Sequence, residues 1–162
     1  MEVMWAPWRM EYIKSAKPEG CFFCSKLAES QDAENHIIWR GTRAFVLLNT
    51  FPYNNGHMMV APCAHVGTLE DVPLETLTEM MALCQDAVRA LRVDFRPDGV
   101  NMGVNLGSAA GAGVKDHLHI HLVPRWSGDT NFMAVVEDTR IIPQSLDDAY
   151  RQLRSAFQAL RG

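Results

Sequence analysis

The order of strand-like and helix-like segments in this 162-residue sequence predicts an α+β domain. Segments with the composition of β-strands occur in two groups, and turns or short loops join the strands inside each group. A long amphipathic helix separates the two groups, and a second helix follows them. Because these connections favour antiparallel neighbours and lack the repeated helical crossovers of a parallel sheet, we expect an antiparallel sheet with helices packed on it.

The first half of the chain is predicted to contain an arm, a short helix and three strands. Residues 1–20 are rich in tryptophan and tyrosine, so this N-terminal arm is expected to pack on another surface, such as that of a partner subunit. A short helix is expected at 21–29. The strands are expected at 36–40, 44–49 and 57–62, where apolar and β-branched residues are bounded by turns rich in glycine, proline and asparagine.

The second half is predicted to contain a long helix, two strands and a final helix. Apolar residues recur at helical spacing over 74–95, and Pro73 stands near the start of this helix. Residues 100–106 alternate between apolar and polar side chains, and residues 117–123 do the same, as half-buried strands do. A last helix at 146–160 lies in the C-terminal segment 145–162, and no linker divides residues 1–162 into more than one domain.

Composition and charge exclude several classes of protein. The 48% hydrophobic and 21% charged residues are ordinary for a globular protein. The longest apolar stretch, 58–64, contains Pro62 and is far shorter than the roughly 20 residues that span a bilayer. The net charge of -4 argues against a partner of duplex nucleic acid. Charged residues interrupt the N-terminal arm, so no secretory signal is predicted, and we expect a cytoplasmic protein with reduced cysteines.

The strongest chemical motif is the run from His117 to His121. Side chains alternate between the faces of a strand, so His117, His119 and His121 are predicted to share one face while Leu118 and Ile120 face the core. A neutral imidazole is a competent nucleophile near neutral pH, and its attack on phosphorus divides one difficult displacement into two easier ones. A zinc-dependent hydrolase with His117 and His119 as ligands is the alternative. The outer two histidines, however, lie about 13 Å apart along a strand, so this segment alone cannot bring all three to one ion.

A second motif is the pair Cys21 and Cys24. Their spacing is that of half a zinc site. A redox-active pair is the alternative, but such pairs sit after a strand in a βαβ unit that this sequence lacks.

These motifs together resemble a known family. The alternation of histidine with apolar residues over 117–123, with the Gly56-His57 pair that opens the third strand, is similar to the histidine-triad (HIT) family. Residues 116–132 and the aromatic arm are similar to its branch of bacterial diadenosine tetraphosphate phosphorylases. The resemblance covers at least 21–125. It implies a HIT-like five-stranded antiparallel sheet with two main helices, a homodimer in which the two sheets join, and one nucleotide site per subunit.

The resemblance also implies roles for single residues. His119 would be the nucleophile that forms a nucleotidyl-histidine intermediate, His121 would assist through the phosphoryl or bridging oxygens, and His57 would support both from the neighbouring strand. Some members of the family bind a structural zinc ion with a cysteine pair and two histidines. The corresponding residues here are Cys21, Cys24, His65 and His117.

Several residues are expected to contact the nucleotide. Asn49 and Asn105 fall where the family contacts ribose or phosphate. The glycines of the loop 107–113, including Gly111 and Gly113, allow backbone N–H groups to approach phosphate oxygens, although a flexible loop explains this composition as well. Many members hold phosphate with a polar residue just before the alternating histidines, where this sequence has Gly113 and Val114, and Ser108 and Lys115 are candidate replacements. Trp126 is expected either to stack on a base or to pack.

The expected activity is a two-step nucleotidyl transfer from a dinucleoside polyphosphate, in which inorganic phosphate or water resolves the intermediate. A purine nucleoside phosphoramidate hydrolase is the alternative within the family. A nucleotide-binding sensor without useful chemistry is the alternative of another class. No organic cofactor and no membrane partner are expected.

Overall fold

The computed structural model of the protein describes residues 20–129 and 142–162. The predicted arm at 1–20 therefore lies, except for Gly20, outside the described residues. The described elements, in chain order, are α1 (Phe22–Ala28), β1 (Ile37–Arg40), β2 (Ala44–Leu48), β3 (Met58–Pro62), α2 (Leu74–Asp94), β4 (Gly99–Val104), β5 (Ile120–Arg125) and α3 (Leu146–Arg161).

The strands form one five-stranded sheet in the order β1-β2-β3-β5-β4, and every neighbouring pair is antiparallel. The predicted α+β class with an antiparallel sheet is therefore confirmed. Because α2 carries the chain from β3 to β4 at the far edge, β5 returns between them. This insertion places β5 beside β3, with Met59 opposite His121 and Val60 opposite Ile120.

Helices α2 and α3 cover one face of the sheet. The core between them contains Ile120 and Leu122 of β5, with Leu83 of α2 and Phe157 of α3. The shorter α1 covers part of the other face, where Phe23 joins a second apolar cluster with β1, β2 and β3. Strands β2 and β3 are buried along their whole length because both their faces are covered, which explains why their sequences are apolar throughout.

The first three strands differ from their predicted bounds by one residue, whereas two strands differ by two or more residues at one or both ends. Strand β5 begins at Ile120 rather than at residue 117, because the preceding segment leaves β3 and Leu118 donates its N–H to the carbonyl of Val66 at 2.7 Å. Strand β4 ends at Val104 rather than at residue 106. The alternation of faces nevertheless continues through residues 117–119, since Leu118 and Ile120 lie in the core and His119 lies against Phe23 on the opposite face.

In the described part of the chain, no helix combines the length and the hydropathy that crossing a bilayer requires.

Candidate active site and metal centre

Three histidines meet on the face of the sheet that α1 partly covers. His57 immediately precedes β3, and its Nε2 lies 3.0 Å from Nδ1 of His121 on the neighbouring strand. The ring centroids of His119 and His121 are 4.8 Å apart. His57 is completely buried and His119 is 5% exposed, while His121 is half-buried. The pairing of β3 with β5 thus brings together the three residues that were predicted to be catalytic.

Hydrogen bonds determine which ring nitrogen of each neutral histidine carries the proton. The N–H of Tyr53 donates to Nδ1 of His57 at 3.0 Å, so the proton of His57 is on Nε2. This Nε2–H donates to Nδ1 of His121, which leaves the proton of His121 on its own Nε2. In His119, Nδ1–H donates to the carbonyl of His117 at 2.8 Å, so the lone pair is on Nε2.

The surroundings keep these three rings neutral. Burial, together with the neighbouring imidazoles of His121 and His119, lowers the pKa of His57 to about 3. Burial and the adjacent His119 lower the pKa of His121 to about 4. Burial also lowers the pKa of His119, and the hydrogen bond to the His117 carbonyl opposes this effect only in part. An uncharged imidazole with an available lone pair is the form that can act as a nucleophile.

Nε2 of His119 is open to a ligand. Among the described residues, no hydrogen bond engages this atom. The same residues contain no buried side-chain nitrogen or oxygen without a partner, so the atom must reach the surface. The small exposed fraction of this side chain therefore includes Nε2. The ring thus presents a lone pair from an otherwise buried position.

Four other residues form a compact group beside the histidines. Cys21, Cys24, His65 and His117 each offer one ligand atom, and these atoms all lie within 4.8 Å of one another. Sγ of Cys21 is 3.3 Å from Nδ1 of His117, and Sγ of Cys24 is 3.4 Å from Nδ1 of His65. Cys21 caps α1 and Cys24 lies in its first turn, while His65 follows the end of β3.

The chemistry of this group suits a metal ion. In a tetrahedral zinc site with ordinary bond lengths, a sulfur and a nitrogen ligand are about 3.5 Å apart, close to the separations observed here. Nε2–H of His117 donates to the carbonyl of Pro62 at 2.8 Å, which leaves the lone pair on the Nδ1 atom that faces the thiols. The four residues can therefore hold a metal ion. His119 lies outside the group, so the alternative of a zinc hydrolase with His117 and His119 as joint ligands finds no support.

Two aromatic residues that sequence reasoning missed contact the histidines. The ring centroid of Tyr53 lies 4.6 Å from that of His57 and 5.8 Å from that of His121. The Tyr53 and His121 rings are nearly parallel, with an interplanar angle of 23°. The ring of Phe23 lies 5.0 Å from that of His117 and 4.9 Å from that of His119. Their position in the sequence, in the turn before Gly56-His57 and between the two cysteines, was the signal that could have identified them.

The residues predicted to contact a nucleotide lie at different distances from the histidines. The side-chain amide of Asn49 is 3.5 Å from Nδ1 of His57. Asn105 follows Val104, which pairs with Ile120, so continuing the register places it opposite His119. Gly111 adopts the left-handed conformation that favours glycine, at the end of an exposed turn formed by Ser108–Ala110.

Gly113 is exposed and precedes Val114, which packs against the apolar cluster on the histidine face. The loop therefore approaches the site at its end, while Ser108 makes no hydrogen bond to the histidines within the described part of the chain. Trp126 lies farther away. It follows β5, about 16 Å along the strand from His121, and its indole N–H donates to the carbonyl of Phe95 at 3.1 Å. This hydrogen bond fixes the position of the indole, and stacking of Trp126 on a base stays a prediction.

A five-stranded antiparallel sheet with a His-x-His-x-His segment beside a buried histidine defines a histidine-triad protein. Residues 30–128, more than half of the chain, match the HIT domain family, and the chain belongs to this family.

Known proteins agree with this assignment. The chain is 38% identical to an AP-4-A phosphorylase of Mycobacterium tuberculosis, over 97% of this chain and 85% of that protein. A zinc-bound histidine triad family protein from Mycobacterium smegmatis has 32% sequence identity and a TM-score of 0.71, with 88% of this chain and 96% of that chain covered. A diadenosine triphosphate hydrolase of Plasmodium falciparum shares the fold, with a TM-score of 0.64 and 17% identity over 96% of this chain and 94% of that one.

Proposed function

We propose that the protein transfers a nucleotidyl group from a dinucleoside polyphosphate, such as diadenosine tetraphosphate, to inorganic phosphate or water. The observation that carries this proposal is the state of His119, a neutral ring whose Nδ1–H is bound to a carbonyl and whose Nε2 is accessible. The name of the Mycobacterium tuberculosis relative, AP-4-A phosphorylase, supports this choice of substrate class.

In the first step, Nε2 of His119 attacks the α-phosphorus of the substrate. A P–N bond forms while the P–O bond to the rest of the polyphosphate breaks, and the electron pair of that bond leaves with the oxygen. The leaving group is a phosphate oxygen, so it departs as an anion without first taking up a proton. Nε2–H of His121 is directed to donate a hydrogen bond to the phosphoryl or bridging oxygen, and His57 holds His121 in the required tautomer.

In the second step, an anionic oxygen of phosphate, or water that gives up a proton to the solvent, attacks the same phosphorus. The P–N bond breaks and its electron pair returns to Nε2 of His119, which leaves as a neutral imidazole. The His119 ring carries a positive charge while the P–N bond exists. The carbonyl of His117 stabilises this charge because it already accepts the Nδ1–H. Asn49 and Asn105, together with Gly111 and Gly113, are proposed to contact the ribose and the phosphates.

We propose zinc as the ion of the Cys21, Cys24, His65 and His117 group. Two thiolates and two imidazoles are typical zinc ligands, and the structurally similar protein of Mycobacterium smegmatis is zinc-bound. Its role would be structural, because all four positions of a tetrahedral site are filled by the protein. Such a centre requires reduced thiols, which favours the cytoplasm as the compartment.

We also propose a homodimer that joins two sheets through β4. This strand is at the edge of the sheet and is exposed along most of its length. Met102, Val104 and Leu106 are large apolar residues that are 53%, 39% and 47% exposed there. An edge strand with apolar side chains is suited to pair with a second copy. Light scattering coupled to gel filtration should give twice the mass of the chain.

The test of the activity is the identification of products from diadenosine tetraphosphate with and without inorganic phosphate. ADP and ATP that appear only with phosphate indicate a phosphorylase, and AMP and ATP indicate a hydrolase. His119→Ala should abolish turnover in either case, whereas Leu74→Ala, at a 76% exposed position of α2, is the matched control and should not. Failure of the wild-type protein to cleave the substrate would refute the proposal. Cleavage of adenosine phosphoramidate alone would instead indicate the phosphoramidate hydrolase, and binding without cleavage a sensor.

A further inference from the structure

We infer that the Cys21, Cys24, His65 and His117 centre positions the nucleophile, and that Phe23 and the backbone of His117 are the groups through which it acts. This inference rests on the proposed function, since it assumes that His119 is the nucleophile. The two sites are adjacent, and three separate segments of the chain connect them.

The first connection is His117, which belongs to both sites. Its Nδ1 faces the two thiols, and its Nε2–H is bound to the carbonyl of Pro62. Its backbone carbonyl accepts the Nδ1–H of His119. A metal bond at Nδ1 would therefore fix the His117 ring at both of its nitrogens. It would also fix the His117 backbone carbonyl, which selects the tautomer of His119.

The second connection is Phe23, which lies between the two cysteine ligands in the sequence. Its side chain is 1% exposed, and its ring is in contact with the rings of both His117 and His119. Phe22 and Phe45 also pack against this ring in T-shaped arrangements, at centroid distances of 5.2 and 6.4 Å. A change in the position of Phe23 must therefore move the surface against which His119 packs.

The third connection is the segment that follows His65. The carbonyl of Val66 accepts the N–H of Leu118, the residue between His117 and His119. A Cβ at Gly67 would lie 3.0 Å from backbone atoms of Asp116, so the two segments are in close contact. The backbone on either side of His117, immediately before the nucleophile, is thus held against the backbone that follows His65.

The position of α1 depends on the centre to an unusual degree. This helix has only seven residues, and Cys21 at its N-cap makes no side-chain capping hydrogen bond. Helices of this length are not stable alone, so tertiary interactions must hold α1 in place. Its N-cap residue and its third residue are ligands, so releasing the metal removes one of the two anchors of Phe23 and leaves only the apolar cluster to hold it. We expect His119 then to populate both tautomers, with Nδ1 no longer held by the carbonyl of His117.

The experiment is histidine-selective nitrogen NMR of the full-length protein, together with steady-state kinetics and measurement of bound zinc. Zinc-loaded protein should show His119 as the Nδ1–H tautomer. After chelation, or in Cys24→Ser, the His119 resonances should shift towards a mixture of tautomers while the hydrogen-bonded pair of His57 and His121 changes little. Cys63→Ser removes a thiol outside the centre and is the matched control, so it should retain zinc and the wild-type spectrum.

A second variant separates loss of positioning from loss of metal. Phe23→Leu retains all four ligands and should bind one equivalent of zinc, yet kcat should fall about tenfold with KM changed less than about twofold, because a misplaced nucleophile affects the chemical step. Phe23→Tyr should restore most of kcat.

The NMR measurement needs no substrate, so it tests the inference independently of activity. If the wild-type protein cleaves no dinucleotide, only the proposed function is refuted. Wild-type His119 resonances in folded, metal-free protein would overturn the inference. If the metal-free protein unfolds, the zinc-loaded Phe23→Leu variant decides instead, and an unchanged kcat together with an unchanged His119 tautomer would overturn it.

Discussion

The buried pair of His57 and His121 should make the stability of the protein fall steeply below pH 6.5. Burial lowers the pKa of His57 to about 3 and that of His121 to about 4, whereas an unfolded histidine titrates near 6.5. Between these values the unfolded chain binds protons that the folded protein does not bind. The free energy of unfolding therefore rises with pH. The stability that depends on keeping these two histidines neutral is fully present above about pH 6.5 and is lost as the pH falls towards the folded pKa values.

The magnitude for each ring follows from its two pKa values. Lowering the pH from 6.5 to 5.0 should remove about 1.6 kcal/mol per histidine, since the slope approaches about 1.4 kcal/mol per pH unit for each proton. His57→Gln removes one of these groups and retains an amide N–H that can donate to Nδ1 of His121. The loss of stability over this range should therefore be smaller in His57→Gln by about 1.6 kcal/mol.

The assay is urea denaturation of both proteins at several pH values, with saturating zinc so that the metal centre contributes equally to each. The slope of urea dependence should be the same for the two proteins at each pH, which confirms that only stability has changed. Equal pH dependence in the wild-type protein and His57→Gln would refute the reasoning, because it would mean that His57 is protonated as readily in the folded protein as in the unfolded chain.

Two further substitutions test the support of the histidines. Tyr53→Ala should move the acidic limb of the pH profile of kcat/KM to a higher pH by about one unit, because loss of the ring beside His57 and His121 admits water and makes their protonation easier. Tyr53→Phe keeps the ring and should leave the profile unchanged. A shift in Tyr53→Phe would show that the hydroxyl, and not the ring, is responsible. Asn54 is 6% exposed and its amide donates to the carbonyl of Pro124 and to Asp129, so Asn54→Ala should lower the free energy of unfolding by about 1–3 kcal/mol in urea titrations. The exposed neighbour Thr50→Ala should cost less than about 0.5 kcal/mol, and equal losses in the two variants would contradict the role given to Asn54.

Hydrophobic patterning was sufficient to predict the elements of the sheet and its class. Strands β2 and β3 are apolar throughout because both faces are covered, and α2 shows apolar residues at helical spacing because only one of its faces is buried. The start of β5 was predicted three residues early. The alternation of side chains continues through residues 117–119, but the hydrogen-bond partner changes from β3 to Val66, and alternation does not reveal the partner.

The sequence predicted the candidate site only where the spacing of histidines and cysteines along the chain indicates their chemical role. Alternation placed the histidines on one face, and the spacing of Cys21 and Cys24 with the family resemblance indicated the four residues of the candidate metal centre. Phe23 and Tyr53 stand beside the motifs in the sequence, which was a signal of proximity to the site. Which histidine rings they contact depends on how α1 and the turn at 50–56 fold back onto β5, and local sequence does not specify this. The nucleotide contacts, the aromatic arm at 1–20 and the homodimer stay predictions.

The most direct test of the account is to trap the covalent intermediate. The protein should be mixed with diadenosine tetraphosphate labelled at the α-phosphorus, in the absence of phosphate, and quenched within one turnover in alkaline denaturant, which preserves a bond between phosphorus and histidine nitrogen. Peptide mapping should find the label as an adenylyl group on His119, and the acceptor should then release it, as ADP where phosphate is added before the quench or as AMP where water is the acceptor. Product formation with no label on the protein at any time, or label on another residue, would contradict the account.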